Sequence, residues 1–315
     1  MPKCMDRVIY IVLMPRQNIN IPSFMIRPGM RPMEAQPPII PEKHPSPDTP
    51  LTQIKVQTIA QLTRGEPWLL EQLHVRNHHI ILWTTRGQGR VLMHGLRRGF
   101  GTHNALFVPA GKLLAFELGL QVQGQAILIP DDGRIALPDR TQHLRLTDAS
   151  AQAEMTGILD HMRRESHEER SLLVEAMNAH AQLMSVALRR QIQNAGPLPP
   201  AKAADRIVRR YCDLLAQDFR SGQSMATYAK KLDITPTHLT RVCRQGAGMT
   251  AADMLSQLVQ HEVRSMLIHT VKPMNEIANA LGFSSAAYFT RFSQHHFGKS
   301  PSQVRKEAAG FQAIV

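Results

Sequence analysis

Two segments in the last third of the chain repeat each other at a spacing that few folds accommodate. The first reads Tyr228-Ala-Lys-Lys-Leu-Asp-Ile234 and then His238-Leu-Thr-Arg241; the second reads Ile277-Ala-Asn-Ala-Leu-Gly-Phe283 and then Tyr288-Phe-Thr-Arg291. Each sets a small residue (Ala229, Ala278) four positions before a turn residue (Asp233, Gly282). The small residue lets two helices cross closely, and the turn residue takes the backbone of a sharp reversal. That is helix-turn-helix spacing, present twice, about fifty residues apart. A single match would fit many helical hairpins. Two in one basic segment make a plain bundle with incidental repetition the poorer reading.

The segment between the repeats carries a geometric argument. Apolar periodicity predicts helices over 202–219, 225–232, 236–245, 250–269, 274–281, 284–296 and 301–308, with Gly, Pro, Ser and Thr at their ends. The helix over 250–269 would span ~30 Å. Successive major-groove faces on one side of B-DNA lie ~34 Å apart, so such a helix could hold two recognition helices in adjacent grooves of one duplex.

Charge points to the same partner. Of a formal net charge of +12, residues 201–315 hold +7, from 15 Lys/Arg against 8 Asp/Glu. A basic excess concentrated in one segment favours a polyanion there, and an aromatic content of 5% argues against a base-stacking, single-strand surface. No apolar run approaches the ~20 residues of a membrane span. The run from Val8 to Met14 is too short for a secretory leader and lacks a convincing cleavage site. Three scattered cysteines, Cys4, Cys212 and Cys243, exclude a disulfide scaffold and a cysteine-rich zinc site and suit a reducing compartment. A cytoplasmic location is expected.

The front of the chain divides by texture. Residues 1–50 hold 11 of the 21 prolines and read as an extended or disordered arm, with Met33 an alternative start. Residues 51–193 read as one domain. Short apolar runs at Trp68–Leu73, Ile80–Trp83, Arg90–His94, Ala105–Val108, Leu113–Leu118 and Gln125–Ile129, separated by Gly-rich turns such as Arg98-Gly-Phe-Gly101, predict an antiparallel sandwich or small barrel. From 148 to 192 the period becomes helical, as a two-helix hairpin. Asn194-Ala-Gly-Pro-Leu-Pro-Pro200 reads as a linker, and 201–310 as the helical domain. The fold class is α+β.

The run from Met274 to Arg305, above all Ile277-Ala278, Gly282-Phe283, Tyr288-Phe289-x-Arg291 and Phe297-Gly298-x-Ser300-Pro301, resembles the signature of the AraC/XylS transcription regulators. The resemblance covers residues 204–308 well and the front more loosely. It implies a cupin-like effector-binding β-barrel with two dimerisation helices, then two helix-turn-helix motifs joined by a linker helix. It also implies a homodimer that binds double-stranded promoter DNA, contacts RNA polymerase and responds to a small effector, most often activating a metabolic or transport operon. Two departures stand out: Asp233 replaces the usual Gly of the first turn, and Ser293 stands where a core Phe is usual.

Carried over by position, the DNA-binding residues are Thr237, His238, Thr240, Arg241 and Arg244 in the first motif and Ser285, Ala286, Ala287 and Arg291 in the second. Arg pairs bidentately with guanine, Thr bonds or touches a thymine methyl, and Ala can only do the latter. Arg244 points to the backbone, and Lys299, Ser300 and the amides before Pro301 suit phosphate. Arg291 could instead sit in an ion pair with Glu276.

For the effector, His78, Trp83 and Arg90 are the candidates. The histidines His74, His78, His79, His94 and His103 do not follow the H-x-H order of metal cupins, and His78 and His79 face opposite sides of a strand, so no metal is expected. Gly87-Gln-Gly89 lacks the rest of a nucleotide fingerprint, GxSxG is absent, and neither a cofactor nor an enzymatic activity is expected. Cys243 packs inward in this reading, although Arg241 and Arg244 beside it could lower its pKa. Two other classes compete: a cupin-type enzyme with an appended DNA-binding domain, and a non-specific architectural DNA-binding protein.

Overall fold

The computed structural model describes residues 51–312 apart from 64, 120, 169 and 197–199, and describes no side chains over 309–312. The proline-rich arm of 1–50, the alternative start at Met33 and part of the linker lie outside the described residues. No described helix is long and apolar enough to cross a membrane.

Among the described residues nine strands form two antiparallel sheets. They are β1 Lys55–Thr58, β2 His74–Val75, β3 His78–Arg86, β4 Gly89–Met93, β5 Leu96–Phe100, β6 Asn104–Val108, β7 Leu113–Leu118, β8 Gln123–Pro130 and β9 Gln142–Arg145. The first sheet runs β1-β8-β3-β6-β9 and the second β2-β7-β4-β5. Two short helices, α1 Ile59–Thr63 and α2 Trp68–Glu71, lie between β1 and β2.

Strand β3 reads as continuous apolar sequence because both of its faces are buried. Ile80 and Leu82 point inward with Leu106, Val108, Ala126 and Leu128, and meet Val91, Met93, Phe100, Leu114 and Phe116 of the second sheet. Ile81 and Trp83 point outward with Ala105, Phe107, Ile127 and Ile129, under the helical hairpin α3 Ala149–Glu168 and α4 Leu173–Asn194. Met155, Leu159, Met162, Met184 and Leu188 cover them.

Several expectations need correction. The strands form open sheets, with no ladder closing them into a barrel among the described residues. The inner faces fill the space between the sheets with side chains, as in a sandwich. The run at Trp68–Leu73 contains helix α2 rather than a strand: Pro67 precedes it, and Trp68, Leu69 and Leu70 are buried all round the turn. The stretch around Gly99, expected as a turn, is strand β5, whose polar residues pair with β4 at the sheet edge.

The rest is helical: α5 Ala203–Asp218, a 3₁₀ turn Phe219–Ser221, α6 Met225–Lys231, α7 Pro236–Ala247, α8 Ala251–His269, α9 Met274–Ala280, α10 Ala286–Phe297 and α11 Pro301–Gln312. Caps fix these bounds. Ser224, Thr235 and Ser285 each accept the backbone N–H of N3, and Thr250 forms a reciprocal capping box with Asp253. Gly248 and Gly298 end α7 and α10 in the left-handed conformation.

One hydrophobic core crosses the expected domain boundary. Leu73, just before β2, and Leu92, Leu113 and Ala115 of the second sheet pack with Val208, Tyr211, Cys212 and Leu215 of α5, with Leu239 and Val242 of α7, and with Met254 and Leu258 of α8. The second motif has a separate core of Val263, Leu267, Ile277, Leu281, Phe289 and Val304.

Candidate nucleic-acid interface

Helix α7 turns one face inward through Leu239, Val242, Cys243 and Ala247. The opposite face carries Thr237, Arg241 and Arg244, all exposed, with His238 and Thr240 partly exposed beside them. A shallow concavity of about 590 Å³ lies along this face, lined by Pro236, Thr237, Thr240, Arg241, Arg244 and Gln245. Five predicted residues therefore share one helix, and four of those lining positions match them; Gln245 is an addition one turn beyond Arg241.

In the second motif Ser285 caps α10, while Ala286, Ala287 and Arg291 are exposed on it. Among the described residues Arg291 forms no ion pair with Glu276. Tyr288, 45% exposed and tilted against Phe283, stands on the same helix, and the sequence pattern marks it only as part of a signature. Lys299 pairs with Glu307 at 2.5 Å. The Ser300 amide donates to Gln303 Oε1 at 2.9 Å, so the phosphate role expected of it would require displacing an existing acceptor.

The two departures from the signature have physical accounts. Asp233 adopts φ +58°, a left-handed conformation that Asp tolerates better than most residues. Gly282 sits at φ +72° and also under a close approach: a Cβ there would lie 2.5 Å from the Arg220 carbonyl. The second turn is pressed against a neighbouring backbone. Ser293, fully buried, donates to the Lys299 carbonyl at 2.8 Å, and the half-buried Phe292 packs against the second motif's core in its place.

Cys243 lies in α7, and burial pushes its thiol up to about 12, so the flanking arginines do not activate it. Among the described residues no group of three or more His, Cys, Asp or Glu side chains is disposed to hold a metal.

The three effector candidates do not converge. His78 is buried between the sheets with neither ring nitrogen partnered, and its pKa is lowered to about 3 by burial and then by Arg76. Trp83 faces the other way, donating from Nε1 to Thr156 Oγ1 at 3.2 Å and stacking on His103. Arg90 is exposed on the outer face of the second sheet. The alternation of β3 puts residues 78 and 83 on opposite faces, a signal present in the sequence.

Residues 228–307 match the family model described as a helix-turn-helix domain. The C-terminal domain resembles those of the AraC/XylS regulators. Over 94 residues the chain is 27% identical to the Msm operon regulatory protein of Streptococcus mutans, covering 30% of this chain and 34% of that one. The C-terminal domain of AraT, a response regulator from Geobacillus stearothermophilus, is similar at 26% identity over 34% of this chain and 88% of that one, with a TM-score of 0.32. ToxT from Vibrio cholerae matches at 10% identity over 82% of this chain and 98% of that one, with a TM-score of 0.38. The chain spans between a third and a half of the length of the curated relatives it matches.

Proposed function

We propose that the chain is a sequence-specific, ligand-responsive regulator of transcription that reads one DNA duplex with both of its motifs. The observation that carries this is the pairing of α7 and α10. Both are capped at the N-terminus by a hydroxyl, both expose that end with an arginine on it, and a single 19-residue helix, α8, of ~28 Å separates the motifs. That length suits adjacent major-groove segments on one side of B-DNA. Thr237, Thr240 and Arg241 read bases, Arg244 contacts the backbone, and Ala286, Ala287 and Arg291 read thymine methyls and guanine.

The helical hairpin serves as the dimer contact, where Leu183, 54% exposed, and Val174 offer apolar surface on α4. The effector enters an open cleft of about 460 Å³ between β1, the end of β8 and the α3–α4 turn, where Lys55 offers a positive charge while Arg134 is paired with Asp132 and Arg170 with Glu165 and Glu168. Contact with RNA polymerase and activation of a metabolic or transport operon follow the resemblance to regulators of that kind.

The test is selection of duplexes from a random pool by the full chain, followed by titration of the selected site and a scrambled one. The proposal expects the selected site to bind at least ~10³-fold more tightly. Equal affinity for both would leave a non-specific architectural protein.

A further inference from the structure

The outer face of the second sheet has two halves. Leu92, Leu113 and Ala115 lie under α5 and α7, in the core shared with the first motif. The other half holds the exposed Arg90, Gly99 and Glu117, with the half-buried Arg97 against the end of α7. Cross-strand pairing fixes this: Arg97 stands opposite Leu92, and Arg90 stands opposite both Gly99 and Glu117, so all share one face. Glu117, on β7, reaches across β4 to pair with Arg97 on β5 through both carboxylate oxygens.

This charged half adjoins the end of the first recognition helix. The Gly248 N–H closes α7 on the Arg244 carbonyl. A Cβ built on Gly248 would stand 3.1 Å from Arg97 Nη1. The Arg97 guanidinium therefore lies against the residue that closes α7, one helical turn beyond Arg244 in the chain. Its Nε is buried, Nη2 is engaged by Glu117, and Nη1, which is neither, is the donor open to a phosphate oxygen. Arg90 lies two residues further along the same face.

We infer that Arg97 and Arg90 form a phosphate-binding extension of the α7 surface, by which the front domain grips the backbone of the duplex read by the first motif. The inference rests on the reading of the chain as a duplex-DNA binder. Each strand presents a phosphate every ~3.4 Å of axis, so a strand that meets Arg244 carries its following phosphates past Arg97. Glu117 holds the Arg97 guanidinium in place until phosphate oxygens take over its donors, an exchange of one charge-assisted acceptor for another. Gly99 opposite Arg90 leaves the edge flat, with no side chain to hold a duplex away.

Binding of the full chain to an arbitrary duplex of about 30 bp, followed by anisotropy from ~50 to ~200 mM salt, tests this. The double variant Arg90→Ala/Arg97→Ala should flatten the slope of log K against log salt by ~0.9 for each phosphate that is no longer neutralised, and weaken binding about fivefold per phosphate near 0.15 M. Arg97→Lys should restore most of the slope, and Arg190→Ala, on the far helical hairpin, should leave it as in the wild type. If Arg97 only stabilises the C-terminal end of α7, the double variant will lower Tm with an unchanged slope, and the inference fails. Failure of this inference alone appears as an Arg244→Ala variant that flattens the slope while the double variant does not. A wild-type chain with no salt-dependent duplex binding overturns the underlying reading as well.

Discussion

Helices α6 and α9 open their motifs alike, with Ala229 and Ala278 buried at the crossing and a left-handed residue four positions on. Their surroundings differ. The first motif shares its core with a β-sheet, through Tyr211, Leu239 and Leu92. The second closes over its own seven buried side chains. It touches the front domain through Arg264, which lies 4.9 Å from the ring of Trp68 and 5.8 Å from that of Phe297. One recognition helix is thus fixed to the front domain, and the other is carried at the end of α8. A change in the front domain acts on the first motif directly and reaches the second through α8 and through the contact of the Gly282 turn with the Arg220 carbonyl.

The largest break in this comparison comes from the cores. Phe289→Ala should cost ~3–5 kcal/mol and be felt in the second motif. Tyr211→Ala should cost a similar amount but also expose amides of the second sheet. Hydrogen exchange distinguishes the two, and loss of protection in the same segments for both variants would refute separate cores.

Acid should loosen the hold on α8 next. His261, in the middle of that helix, stacks on His74 at 4.7 Å and faces Trp68, Arg76, Arg264 and His269. Burial, then Arg76, lowers its pKa to about 3, and burial likewise holds His74 well below the usual histidine range. The unfolded chain binds protons near pH 6.5 and the folded chain does not. Stability is therefore complete above that pH and falls below it, by ~1.4 kcal/mol per pH unit for His261, down to about pH 3. Denaturant midpoints from pH 7 to pH 5 check this, and His261→Gln should flatten the dependence.

Arg291→Ala should weaken specific binding by ~1–3 kcal/mol and relax base preference at one position, as seen by titration against single-base variants of the selected site. Gly282→Ala should cost ~1–2 kcal/mol from the left-handed backbone, and more if the Arg220 carbonyl cannot move, whereas Asp233→Ala should cost no more than ~1–2 kcal/mol; equal midpoints would show that the two turns are equally free.

Much of the helical half was legible because its signals are local. Hydroxyl caps at Ser224, Thr235, Thr250 and Ser285 and glycines at 248 and 298 mark ends that chain neighbours alone determine. The sheets were less so. Strand β5 carries Arg97-Arg98-Gly99, residues that belong to a strand only because β4 pairs with them. Trp68–Leu73 looked like a strand because apolar runs of that length have no period. The shared core was not legible at all: alternation shows that Leu92 has a buried face but not that α5 and α7 cover it. The positions proposed to face DNA come from the resemblance, carried over by position, whereas Arg97 adjoins the end of α7 only through tertiary packing.

The central claim is that α8 sets both recognition helices on one face of one duplex. Inserting about 5 bp, half a turn of DNA, between the two halves of the selected site tests it most directly. The account predicts that binding falls to the level of a site carrying one half alone, with a full-turn insertion no better because α8 cannot lengthen. Undiminished affinity for the half-turn insertion would contradict it.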